Sequence, residues 1–75
     1  MNNKRRKEIQ KVIKGLENVV SQILDEEQEA FDNMPESLQE SERGETIQNA
    51  IDNLDTAITT LEEVLEYLAA AKEGN

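Results

Sequence analysis

Apolar residues recur at intervals of three and four through the first half of the chain. The clearest run comprises Ile9, Val12, Ile13, Leu16, Val19, Val20, Ile23 and Leu24, and it is extended by Ala30, Phe31 and Met34. Residues at these intervals share one face of an α-helix, and the polar residues between them suit a solvent face. The pattern predicts a helix over about residues 4–33.

The second half of the chain repeats an apolar pattern every seven residues. With Ile47 as heptad position a, the apolar residues are Ile47, Leu54, Leu61 and Leu68 at a, Ala50, Ala57, Val64 and Ala71 at d, and Ile51, Ile58 and Leu65 at e. The first segment fits the same frame, with Ile9, Leu16, Ile23 and Ala30 at a, Val12 and Val19 at d, and Ile13 and Val20 at e. Such a repeat favours nearly parallel helix axes with left-handed supercoiling. It predicts a second helix over about residues 42–72.

Residues 34–41 interrupt both patterns and predict a turn region. Pro35 lacks a backbone donor and disfavours helical geometry at Met34, so the first helix should end there. Two serines are candidate N-caps of the second helix. Ser37 stands three residues before Glu40, as in a capping box, whereas Ser41 places the helix start closer to the heptad repeat. We prefer Ser41, with Gly44 tolerated in the first turn.

The fold class expected from these elements is all-α, with residues 1–75 forming one antiparallel αα-hairpin with heptad packing. A short connection makes two long helices antiparallel neighbours. The apolar stripe covers positions a, d and e, which is wider than a contact between two helices requires. We therefore expect the protein to bind itself, as a homodimer that forms a four-helix bundle, with a higher oligomer as the alternative.

The composition limits the chemistry that the chain can perform. It contains neither His nor Cys, which are the usual general bases, nucleophiles and soft metal ligands. We expect no enzyme activity, no metal site and no cofactor. No apolar run reaches the roughly 20 residues that cross a bilayer, so no membrane partner is expected. The two aromatic residues, Phe31 and Tyr67, are interpreted as partial core residues.

The charges are segregated along the chain. Seventeen Asp and Glu against eight Lys and Arg give a net charge of −9, but six of the basic residues lie within residues 1–14. In a hairpin this basic head would lie beside Glu62, Glu63, Glu66 and Glu73, and surface ion pairing is one interpretation. The other is an anion site at the helix start. Its candidate residues are Lys4, Arg5, Arg6, Lys7 and Lys11.

Acidic residues dominate the region around the turn. A continuous acidic surface could bind a basic groove on another protein in place of nucleic-acid phosphates, although a purely solubilising role is the simpler explanation. Direct nucleic-acid binding is not expected of such a surface. Glu26 and Glu27 also occupy heptad positions d and e, where local splaying of the helices would let them reach water. The candidate partner-binding residues are Asp25, Glu26, Glu27, Glu29, Asp32, Glu36, Glu40 and Glu42.

The segment DEEQEAFDNMPESLQESERGE at residues 25–45 resembles a segment of short, acidic, uncharacterised proteins of Gram-positive bacteria and their phages. The similarity includes Ala50–Leu54 and Leu61–Glu63 and covers about residues 4–70. It implies a cytoplasmic, phage-associated setting and transfers no activity. The architecture also resembles the plasmid copy-number Rop dimers in outline, without their basic RNA-binding face.

These observations together predict a non-enzymatic protein-interaction module. It would act as a phage-encoded inhibitor or acidic decoy on a host macromolecule, for which a host protein is the expected partner. The alternative is an oligomeric small-ligand binder, a sponge that holds an anionic nucleotide through the basic head. Salt-sensitive capture of a basic protein would favour the first, and stabilisation by phosphate would favour the second.

Overall fold

The computed structural model describes residues 1–72 and consists of three helices in this range. Helix α1 spans Asn3–Asp32, the short helix α2 spans Glu36–Gln39, and α3 spans Glu42–Ala70. The two long helices pack against each other as a helical hairpin, and α2 contacts α3 at the turn. The molecule is a rod of 58 × 15 × 12 Å. Helix α3 begins at the predicted residue and ends two residues earlier than predicted.

The first helix is capped at both ends by asparagine. At its start, the side-chain oxygen of Asn2 accepts a 2.8 Å hydrogen bond from the backbone N–H of Arg5, which satisfies one of the free donors of the first turn. At its end, the backbone N–H of Asn33 donates to the carbonyl of Glu29 over 3.0 Å. Pro35 follows two residues later and prevents the helix from continuing. The boundary therefore follows from local chemistry, as the sequence predicts.

The turn region contains one helical turn, α2, which begins directly after Pro35. The carbonyl of Pro35 accepts hydrogen bonds from the backbone N–H groups of Leu38 and Gln39, at 2.8 and 3.1 Å, and so closes α2. The side-chain amide of Gln39 then donates to the carbonyl of Phe31 over 2.9 Å. Because this bond joins α2 to the last turn of α1, the connection is held in one conformation by its own residues.

Ser41 is the N-cap of α3, and the preference over Ser37 is confirmed. The Ser41 hydroxyl accepts from the backbone N–H of Gly44 at 3.4 Å and donates to the carbonyl of Leu38. Ser37 lies exposed inside α2 and caps no helix. One hydroxyl thus connects the end of the short helix with the start of the long one.

Replacing Ser41 by alanine is expected to lower the free energy of unfolding by about 1 kcal/mol, the usual effect of losing an N-cap oxygen. The matched control is Ser37→Ala, which removes an exposed hydroxyl from α2 and should change that free energy by less than about 0.5 kcal/mol. Urea titration followed by circular dichroism at 222 nm, at one fixed protein concentration, measures both. Equal effects of the two substitutions would contradict the assignment of the cap.

The core is thin, because two helices can bury little between them. Ile51 of α3 is the hydrophobic side chain that is buried in the described residues, with 7% of its surface exposed. The other apolar residues at positions a, d and e of α3 are half-buried. Phe31 is half-buried, as predicted, but the interpretation of Tyr67 as a partial core residue is wrong. Its side chain is 76% exposed, because its position on α3 turns away from α1.

Candidate functional site

A row of aliphatic side chains lies exposed along one face of α1. Their exposed fractions are 38% for Ile9, 69% for Val12, 47% for Leu16, 53% for Val19 and 42% for Ile23. We call these five residues the α1 strip. Monomeric proteins leave single apolar side chains exposed, whereas a continuous row on a charged surface marks a contact surface. The row spans about 21 Å at 1.5 Å per residue.

The strip is exposed because a neighbouring face of α1 packs against α3. The strip residues occupy heptad positions a and d, whereas the half-buried residues of α1 fall mainly at positions b and e. This packed face carries the apolar residues Ile13, Val20, Leu24 and Phe31, and also Arg6, Gln10, Glu17 and Glu27. Since successive residues turn by about 100° around a helix, the two faces point roughly a quarter-turn apart. Helix α3 therefore does not cover the a and d positions of α1, which carry the regular heptad repeat.

The packed face also holds two polar atoms that lack partners. Nε of Arg6 and Oε2 of Glu17 are buried, and neither makes a hydrogen bond within residues 1–72. Both residues are half-buried. A buried polar atom without a partner disfavours the contact between α1 and α3, and the partial exposure of both side chains lessens this cost. Sequence reasoning missed both positions, although Glu17 at heptad b and Arg6 at heptad e, in line with the apolar Ile13 and Val20, were a visible signal.

The candidate partner-binding residues gather at the turn end of the rod. They come from the last turns of α1, from α2 and its C-cap Glu40, and from the first turn of α3. Arg43 is the basic residue next to them in the sequence. Glu27 is half-buried, whereas exposed positions are held by Asp25, Glu26, Glu29, Asp32, Glu36, Glu40 and Glu42. We call these eight residues the acidic end. Glu26 does reach water, as expected, while Glu27 turns towards α3.

A shallow groove runs along one side of this end. It measures about 410 Å³, lies between α1 and α3, and is lined by Leu24, Asp25, Gln28, Gln48, Ile51, Asp52 and Asp55. The side-chain amide of Gln28 donates to Asp32 over 3.0 Å, and that of Gln48 donates to Asp52 over 3.1 Å. The second of these bonds holds the Asp52 carboxylate at the groove. Within residues 1–72, no group of three or more His, Cys, Asp or Glu side chains is placed to hold a metal ion.

The candidate anion-binding residues are distributed around the start of α1. Lys4, Lys7 and Lys11 follow helical spacing along one exposed face, whereas Arg5 lies in the same row as Val12 and Val19. Arg6 is half-buried on the face that packs against α3. The structure therefore brings three of the five residues together on one face. Of the acidic residues predicted beside them, Glu62, Glu63 and Glu66 are exposed on α3, and Glu73 lies outside the described residues.

Comparison with known proteins adds no assignment to this geometry. No protein-family model matches the chain, and no curated protein or solved structure is significantly similar to it. In the described part of the chain, none of the helices has both the length and the apolar character needed to span a bilayer. Function must therefore be argued from the two surfaces described above, the α1 strip and the acidic end.

Proposed function

We propose that the protein is a non-enzymatic protein-interaction module whose copies associate as a dimer and form a four-helix bundle. The observation that carries this proposal is the exposure of the α1 strip. Burying apolar surface stabilises a protein by about 25 cal/mol per Å². Five exposed aliphatic side chains in a row would therefore add substantially to the stability if another surface covered them. Packing against another helical surface provides this burial. In the proposed bundle, each hairpin contributes half of one shared hydrophobic core.

The acidic end is the surface proposed to bind a second molecule. Its carboxylates come from three helices and share one end of a narrow rod, so their potentials add over a small area. A partner of complementary charge, such as a host protein with a basic groove, would be attracted over several ångströms and bound in competition with its own acidic ligand. Together with the resemblance to phage proteins, this supports a role as a phage-encoded acidic decoy in the cytoplasm.

Capture of a basic protein from a Gram-positive bacterial lysate tests this role. We expect the tagged full-length chain to retain such a protein at low ionic strength and to release it as salt rises, because exposed charges are screened over about 10 Å at 0.1 M salt. Neutralising four exposed residues of the acidic end should abolish capture. The variant carries Asp25→Asn, Glu29→Gln, Asp32→Asn and Glu36→Gln.

The matched control neutralises four exposed acidic residues that lie away from the turn. It carries Glu8→Gln, Glu62→Gln, Glu63→Gln and Glu66→Gln, so its net charge equals that of the first variant. We expect this control to capture the same protein as the original chain. Equal loss in both variants would mean that only net charge matters, and would contradict a specific acidic surface. Capture of nothing basic by the original chain would also overturn the proposal.

A further inference from the structure

The α1 strip is nearly symmetric about its own centre. Ile9 and Ile23 each lie seven residues from Leu16, and Val12 and Val19 lie four and three residues from it. A row with this symmetry presents the same apolar profile when it is read in either direction. A two-fold axis beside the middle residue would therefore bring the strip of one copy onto the strip of another, as in an isologous interface. The alternating intervals of three and four also suit side-by-side packing of two helices.

The charges at the two ends of the strip distinguish an antiparallel from a parallel pair. Arg5 precedes Leu16 by 11 residues and Glu26 follows it by 10, both in the row of heptad d positions and both exposed. An antiparallel pair places Arg5 of each copy beside Glu26 of the other. A parallel pair would place like charges together at both ends.

Helix α3 does not offer a comparable surface. Within Glu42–Ala70 the exposed large hydrophobic side chain is Tyr67, and every Ile, Leu and Val is buried or half-buried. An α1 strip that met α3 of a second copy would therefore find charged and threonine side chains on its outer face. An α1 strip that meets another α1 strip finds its own apolar row. Of these two arrangements, self-contact covers more apolar surface.

We propose that the α1 strip is the dimer contact, formed by the α1 helices of two copies packed antiparallel about a two-fold axis beside Leu16. This inference rests on the dimer of the proposed function and names its contact surface and orientation. It also accounts for the segregated charge of α1. A basic first half and an acidic last quarter oppose the helix dipole in one copy, but they attract each other across an antiparallel pair.

Association of the purified chain tests the contact. We expect sedimentation equilibrium at micromolar concentrations to give the mass of two 8.5 kDa chains. Leu16→Glu would place two carboxylates at the two-fold axis and should raise the dimer dissociation constant at least about a hundredfold. Glu has nearly the helix propensity of Leu, so the helical signal at 222 nm should persist. The control Tyr67→Glu adds the same charge at a more exposed site on α3 and should leave the dimer intact.

A charge swap tests the orientation. Arg5→Glu and Glu26→Arg should each weaken the dimer by about tenfold, because each sets like charges against one another in both symmetry-related contacts. The double variant should recover most of the original affinity, since every Arg again faces a Glu. Within one chain these positions are about 32 Å apart along α1, so no intrachain pair can explain the recovery. In a parallel dimer the double variant would not bind more tightly than the single variants.

Three results would overturn the inference. They are a mass of one chain at 100 μM with the helical signal intact, a dimer unaffected by Leu16→Glu, and a double variant as weak as the single ones. None of them decides the capture experiment, because the capture variants leave Arg5, Leu16 and Glu26 unchanged. A chain that captures a basic protein but does not dimerise would leave the decoy role standing and end the proposal for the α1 strip.

Discussion

Replacing Gly44 by alanine should destabilise the protein by about 3 kcal/mol, the upper part of the range for forcing a side chain into a packed site. Gly44 is buried in the first turn of α3, directly under the end of α2. A Cβ atom at this position would lie 2.6 Å from the carbonyl oxygen of Leu38 and would overlap the backbone of Gln39. Backbone atoms cannot move aside by changing rotamer, so the connection as a whole would have to shift.

Gly15 provides the matched control for this substitution. It also lies inside a long helix, but a Cβ atom added there meets nothing within 4 Å. Gly15→Ala should therefore raise the free energy of unfolding by up to about 1 kcal/mol, through the higher helix propensity of alanine. In urea titrations at the same protein concentration, the unfolding midpoints of the two variants should shift in opposite directions from that of the original chain. A Gly44→Ala variant as stable as the original chain would contradict the close approach of α2 to α3.

Truncating Ile51 to alanine should cost about 3 kcal/mol, the middle of the range for a buried Ile→Ala change. Ile51 is the hydrophobic residue with the least exposure in the described chain, and it lies where α3 faces the second half of α1. Small domains with one core commonly have only about 3–5 kcal/mol of stability. The substitution should therefore leave a large fraction of the protein unfolded at 37 °C.

Thermal unfolding at 222 nm measures this effect, and Tyr67→Ala is its control on the same helix. Tyr67 is 76% exposed, so its truncation should change the free energy of unfolding by less than about 0.5 kcal/mol. Both variants retain the α1 strip, and differences in association therefore do not enter the comparison. Similar losses at the two positions would mean that the burial at Ile51 does not hold the hairpin together.

Local chemistry made much of the fold predictable from the sequence. The intervals of three and four specify helices without reference to any partner, and Pro35 stops α1 because it has no N–H to donate. The N-cap at Ser41 depends on a hydroxyl three residues before the N–H of Gly44, which the sequence contains in full. These are short-range effects, so the hairpin and its helix starts follow from neighbouring residues alone.

The remaining features of the fold and of the candidate site depend on contacts between residues that are distant in the sequence. The sequence could not show that Gly44 is required by the backbone of Gln39, because that requirement appears only when α2 folds back on α3. Tyr67 differs, because the heptad frame already puts it at position g, outside the a, d and e stripe, and its 76% exposure follows that pattern. The candidate acidic residues were identified by composition, but their convergence at one end of the rod depends on the path of the turn through α2.

The sequence by itself determined two amphipathic helices, the point where the chain reverses, and the segregation of charge. Only the tertiary structure decided which face of α1 packs against α3. Heptad letters describe an apolar stripe of positions a, d and e, but a single neighbouring helix covers only part of a stripe that wide. In this chain α3 covers the side with Ile13 and Val20 and leaves Leu16 and its row exposed, because burial depends on where the second helix lies and not on the pattern alone.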